Sequence, residues 1–180
     1  MEYTHTSNGK NDECYTKRYA VEPLLEFLEQ FRKKTIWLPF DTEESEFVKV
    51  FSEENFNIVY SHIEKGQDYY NFEPKKWDLL ISNPPFTNKK EIFKRALSFK
   101  KPFALLMNLM WLNDATGIKT FSNVDLQLLL FTQRMTFKNQ PQKNKISFMS
   151  AYFCWNFLPK QILIRNFENR HQLKLIEGVK

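Results

Sequence analysis

The sequence predicts an α/β protein: a mostly parallel sheet of about seven strands, helices on both faces, and a C-terminal antiparallel hairpin. Three observations lead there. Short apolar runs alternate with amphipathic helical stripes over the first two thirds of the chain, while β-rich runs crowd the last third. One of the apolar runs breaks off at Asn83-Pro84-Pro85-Phe86, where no regular element continues.

From Val21 to Phe31, apolar residues fall at Val21, Leu24, Leu25, Leu28 and Phe31, with Glu22, Glu26 and Glu29 opposite, the spacing of one helical face. Thr35 to Phe40 is a short strand ending at Asp41, and Phe47, Val50 and Phe51 mark a helix over Glu43 to Phe51. Phe56 to Tyr60 and Trp77 to Ser82 read as buried strands. Asn88 with Glu91 three residues later has the form of a capping pair, and Ile92, Phe93, Ala96 and Leu97 supply that helix with its apolar face. Pro102 ends it. Phe103 to Met107, Leu126 to Phe131, Ile146 to Phe157 and Ile162 to Phe167 are the remaining strands, the last two separated by Pro159. Adjacent late strands of this kind form an antiparallel hairpin at a sheet edge. The stretches from Asn108 to Asn123 and from Lys138 to Lys145 read as loops.

At 180 residues, 42% of them hydrophobic, the chain suits one core, with residues 1–12 as a polar, flexible tail and 13–180 as a single domain. No apolar stretch approaches the ~20 residues that a membrane span needs. Cys14 and Cys154 stand apart, without metal or disulfide spacing, so reduced thiols in a soluble cytoplasmic protein and no metal site are expected. Lys and Arg number 26 against 21 acidic residues, with a pI near 9.1, which suits a polyanionic partner without demanding one. Glycine is scarce: there are 4, and none lies between Gly9 and Gly66.

Ligands of open α/β sheets sit beyond the carboxyl ends of strands, where Asn83 to Phe86 falls. Pro84 and Pro85 keep their carbonyls and lack N–H groups, so the turn is rich in acceptors. The Asn83 side-chain carbonyl and the Pro84 carbonyl suit the two hydrogens of a planar NH₂, and Phe86 suits stacking on its ring, a contact of ~1–3 kcal/mol. Asparagine takes no proton, so it would polarise and position rather than act as a base.

Ile81-Ser82-Asn83-Pro84-Pro85-Phe86 resembles the catalytic segment of the class I S-adenosylmethionine-dependent adenine-N6 methyltransferases, in their short phage and restriction-type form. Asp12 to Thr16 before a helix is similar to the family's N-terminal element, and Trp37 to Asp41 with Ser45 to its first cofactor loop. Gly66, Gln67, Asp68 and the two tyrosines after it resemble the element near the cofactor adenine, and Arg134 to Phe137 with Phe148 to Phe153 the late hairpin beside the flipped base. The resemblance covers roughly Glu13 to Arg165. It implies a Rossmann-like fold and S-adenosylmethionine held by Tyr15, Thr16, Pro39, Phe40, Asp41, Ser45, Asp68 and Tyr69. It further implies adenine-N6 methylation of DNA at Asn83, Pro84, Pro85 and Phe86, without a metal.

Two departures stand out. The family's glycine-rich cofactor loop is absent, leaving Pro39-Phe40-Asp41 in its place, and Ser61-His62 stands where relatives carry an acidic ribose contact, with Glu64 the nearest carboxylate. His62 itself reads as a loop histidine, while Asp41 and Asp68 also suit ordinary cap and turn roles. Lys89 and Lys90 at a helix start, and Arg134 with Lys138, Lys143 and Lys145, are the cations best placed for phosphates. With no separate target-recognition domain, specificity would come from the two loops, a homodimer or a separate specificity partner. The same chemistry on RNA adenine or a protein glutamine amide remains open, as does a non-catalytic nucleic-acid-binding module.

Overall fold

A computed structural model describes residues 15–138 and 149–167. The expected tail, Cys14, Lys143, Lys145 and the start of the strand expected from Ile146 lie outside them.

Seven strands form one sheet: β1 (Thr35–Leu38), β2 (Asn57–Tyr60), β3 (Leu79–Ser82), β4 (Phe103–Asn108), β5 (Gln127–Phe131), β6 (Ser150–Trp155) and β7 (Ile162–Arg165). Their order is β2-β1-β3-β4-β6-β5-β7. The first four run parallel, β6 is antiparallel to both β4 and β5, and β7 pairs in parallel with β5. The α/β class, the mostly parallel sheet and its antiparallel C-terminal part are as the sequence predicts.

Alternation along the strands divides the core in two. Ile36, Leu38, Leu79, Ile81, Ala104, Leu106, Tyr152 and Cys154 face α1 (Arg18–Val21), α2 (Leu25–Leu28) and α3 (Glu46–Glu53). Trp37, Leu80, Phe103, Leu105, Met107, Ala151 and Phe153 face α4 (Lys89–Ser98) and α5 (Ala115–Phe121). Both sets are almost wholly excluded from water, each large side chain contributing roughly 1.5–3 kcal/mol.

The first helical stripe is not one α-helix. Pro23 has no N–H, and the path from Arg18 to Phe31 alternates α-turns with 3₁₀ turns at Glu22–Leu24 and Glu29–Phe31 while keeping the apolar face inward.

Several expectations change in the structure. β2 is a half-exposed edge strand rather than a buried one. Asn88 does start α4, but at φ 55° its side chain makes no capping bond, and its carbonyl instead accepts from the N–H groups of Glu91 and Ile92. The supposed loop from Asn108 to Asn123 contains a 3₁₀ turn, Leu109–Asn113, and then α5, whose cap is Asp114 accepting from the Thr116 N–H at 2.7 Å.

The late antiparallel pairing joins β6 to β5 rather than to β7. Gln127, at the start of β5, explains the path: its side chain donates to the Leu158 carbonyl at 2.6 Å and accepts from the N–H groups of Phe157 and Leu158 at 2.9 and 3.0 Å. The turn after β6 is thereby pinned to the end of β5, and the chain continues along the far edge of that strand. No helix among the described residues is long and apolar enough to cross a membrane.

Candidate active site

Because β1, β2 and β3 are parallel, the loops after them open on one side of the sheet. Between them lies a cavity of about 200 Å³. All eight residues expected to hold a cofactor line it: Tyr15, Thr16, Pro39, Phe40, Asp41, Ser45, Asp68 and Tyr69. Asn83, Pro84 and Pro85 close another side, so the two groups of sequence-predicted residues share one space.

The loop after β1 reaches this position without glycine because its path does not require one. Positive φ among the described residues occurs at Asn55, Gly66, Asn88, Lys100 and Asn156, none of them between 39 and 45. Asp41 N–H donates to the Ser61 carbonyl and Ser61 N–H to the Leu38 carbonyl, tying the β1 and β2 loops together. Ser61 is fully buried, and its hydroxyl accepts from Trp37 Nε1 at 3.0 Å.

Asp41 is buried and accepts a hydrogen bond from the hydroxyl of Ser82, the last residue of β3. Burial pushes its carboxyl pKa up to about 6, against the opposing pull of hydrogen bonds from Ser82 and Ser45. Ser45 also accepts from the Thr42 N–H at 3.0 Å, closing the turn into α3. Asp68 lines the cavity and fills the turn role expected of it, its carboxylate accepting from the Tyr70 N–H at 3.1 Å and from Asn71 Nδ2 at 3.3 Å. Tyr69 is a wall, buried against Phe40 with centroids 4.7 Å apart, its hydroxyl donating to the Ile92 carbonyl of α4 at 3.1 Å.

Asn83 is half-buried, and its Nδ2 donates to Thr16 Oγ1 at 3.1 Å. Phe86 follows outside the cavity lining, packed partly against the α4 side of the core. Among the described residues, Lys138 is the one expected phosphate-binding cation that lines the cavity, ion-paired with Glu46 at 2.5 Å. Lys89 lies over the Trp111 ring at 5.6 Å, while Lys90 and Arg134 are exposed. Tyr70, the second tyrosine of the element expected near the cofactor adenine, also lines the cavity, and Glu44, Glu46, Phe47, His62 and Ile63, not expected there from sequence, complete the walls. His62 rather than Glu64 occupies the wall after β2: Glu64 is outside the lining, and its N–H donates to His62 Nδ1 at 3.3 Å. The position after the strand was the available signal for His62.

No family model and no curated protein matches the sequence. Among solved structures, the chain is similar to one described as a modification subunit assigned to a type I restriction enzyme from Vibrio vulnificus YJ016. That match has a TM-score of 0.54 and 10% identity over 96% of this chain and 54% of the other. Another, described as a predicted O-methyltransferase from Agrobacterium tumefaciens, matches at a TM-score of 0.31 and 12% identity over 72% of this chain and 66% of that one, too distant to carry an argument. The chain thus shares the fold of the modification subunit over nearly its whole length and spans about half of that protein.

Proposed function

We propose that this chain is an S-adenosylmethionine-dependent methyltransferase that modifies the exocyclic N6 amino group of adenine in DNA. One observation carries the reading: the Asn83-Pro84-Pro85 turn forms part of the same cavity wall as Asp41 and Asp68.

The chemistry of that wall fits the cofactor. Asp41, Glu44, Glu46 and Asp68 are four carboxyl groups suited to a ligand carrying sulfonium and ammonium charges, and Pro39, Phe40 and Ile63 are apolar surfaces suited to its purine. When bound, S-adenosylmethionine would supply an electrophilic methyl group, its sulfur leaving as a neutral thioether and the surplus proton of the methylated amine passing to solvent. Asn83 and the Pro84 carbonyl accept the two hydrogens of the substrate amine, directing the nitrogen lone pair away from the turn and favouring the charge that develops on nitrogen. Phe86, just beyond the lining, holds the plane of the base. A base stacked in a duplex cannot reach a recessed turn, so the substrate is an extruded or single-stranded adenine. Lys89, Lys90 and Arg134 contact the backbone phosphates.

Support for a nucleic-acid substrate also comes from the shared fold, since the similar protein is described as a modification subunit of a restriction enzyme. That the similar protein is described as a subunit supports target selection together with a separate specificity partner.

The test follows the methyl group. The protein is incubated with radiolabelled S-adenosylmethionine and unmethylated DNA, with RNA and a glutamine-containing peptide in parallel, and the labelled product is identified after digestion. The reading expects label in N6-methyladenine from DNA, lost in Asn83→Ala. Label confined to RNA or peptide moves the substrate while keeping the chemistry, and no label anywhere with any of the three contradicts the proposal.

A further inference from the structure

We infer that Thr16 is the positioning residue for Asn83, fixing the plane of its side-chain amide from outside the catalytic turn; the inference rests on the proposed methyl transfer. Asn83 and Thr16 are 67 positions apart, yet Asn83 Nδ2 donates to Thr16 Oγ1 at 3.1 Å and Thr16 is only 7% exposed. The bond makes Thr16 more than a surface for the cofactor.

Free asparagine turns readily about its terminal torsion, which has broad, shallow wells. For substrate recognition the amide must lie edge-on, with its carbonyl oxygen toward the incoming amine. A turned amide would set N–H groups against N–H groups. The two residues after Asn83 are prolines, so neither donates a backbone hydrogen bond that could hold the amide locally. Restraint from another element can serve instead, and the Thr16 hydroxyl, 3.1 Å from Asn83 Nδ2, is well placed to supply it. A hydroxyl can accept or donate. It therefore fixes the amide plane, and the substrate amine, carrying two donors, selects the orientation with Oδ1 outward and Nδ2 on Thr16.

Thr16 is itself held on both sides. The Tyr15 carbonyl accepts from the Lys138 N–H at 2.9 Å, and Lys17 Nζ donates to Thr136 Oγ1 at 2.8 Å. Beyond it, the Tyr152 hydroxyl donates to the Ala20 carbonyl at 2.8 Å, anchoring α1 on β6. A residue that orients another must have little freedom of its own, and these ties supply that restraint.

Thr16→Val keeps the shape and removes the acceptor, while Thr16→Ser keeps the hydroxyl. Cofactor affinity, kcat at saturating cofactor, and hydrogen exchange of the Asn83 side-chain amide in the cofactor-free protein are measured on both variants. The amide resonances are assigned by their loss in Asn83→Ala. The inference expects Thr16→Val to lower kcat by about tenfold, the rate equivalent of one hydrogen bond near 1.4 kcal/mol. Amide exchange should accelerate in Thr16→Val, and Thr16→Ser should restore slow exchange and most of kcat; cofactor affinity is read separately, because Thr16 also lines the cavity. Weakened cofactor binding with unchanged kcat would mean that Thr16 merely contacts the cofactor, and would overturn the inference. So would unchanged amide exchange. The exchange measurement needs no turnover, so failure of the methyltransferase reading and failure of the Thr16 assignment are separable.

Discussion

The hydroxyl of Ser82 donates to the buried carboxyl group of Asp41, joining the loop after β1 to the residue directly before Asn83. A carboxyl group at the end of one strand thus braces the start of the Asn83-Pro84-Pro85 turn at the end of its neighbour, and that linkage should respond to pH.

In the folded protein the Asp41 pKa is pushed up to about 6 from an ordinary 3.8, chiefly by burial. A raised pKa means that the native state holds this proton more tightly than the unfolded chain does. The contribution to stability is therefore full below about pH 4 and is lost as pH rises through about 6. Asp41→Asn should abolish this dependence, so that the variant gains a few kcal/mol relative to wild type between pH 4 and pH 7. Urea unfolding midpoints across that range measure the difference; parallel curves would show that Asp41 titrates normally.

The same proton couples to a cationic ligand. Binding of S-adenosylmethionine favours ionised Asp41, so its affinity should rise with pH through about 6 and level off above it. Calorimetric titrations at pH 5, 6 and 7.5 read this directly, and Asp41→Asn should bind with weaker, pH-independent affinity over the same interval.

Gln127 should prove critical to the C-terminal strands. Its side chain makes three hydrogen bonds to Phe157 and Leu158. Gln127→Leu leaves the backbone groups of that turn without them and should destabilise the protein by ~1–3 kcal/mol, measured by urea unfolding. A neutral substitution would mean that another contact carries the chain from β6 past β5.

Gly117 has no room for a side chain. A β-carbon there would stand 2.1 Å from the carbonyl oxygen of Trp111, a backbone atom that cannot swing aside. Gly117→Ala should cost ~1–3 kcal/mol through displacement of α5 from the preceding 3₁₀ turn, measured in the same unfolding assay.

Much of the fold was readable because local signals and burial agree. β1, β3 and β4 are apolar runs buried on both faces, and their loops converge wherever parallel strands share a sheet. The grouping of Asp41, Asp68 and Asn83 in one cavity follows from that convergence. What could not be read depends on contacts distant in sequence. The position of β7 rests on Gln127 holding Phe157, thirty residues later, and the cavity-facing place of His62 rests on Ser61 docking against Trp37. α5 was hidden because it is only seven residues, Ala115–Phe121, with Gly117 in its interior, although Asp114 was a legible cap. The capping pair at Asn88 failed since a left-handed backbone there turns its side chain away from the helix start.

The most direct test of the account is calorimetric titration of the purified protein with S-adenosylmethionine at pH 7.5, since every proposed step requires that the glycine-free cavity hold it. The account predicts one molecule bound per chain, with affinity reduced at least tenfold in Asp68→Ala and the fold intact. No binding by wild-type protein, or binding unchanged by substitution of Asp68, would contradict it.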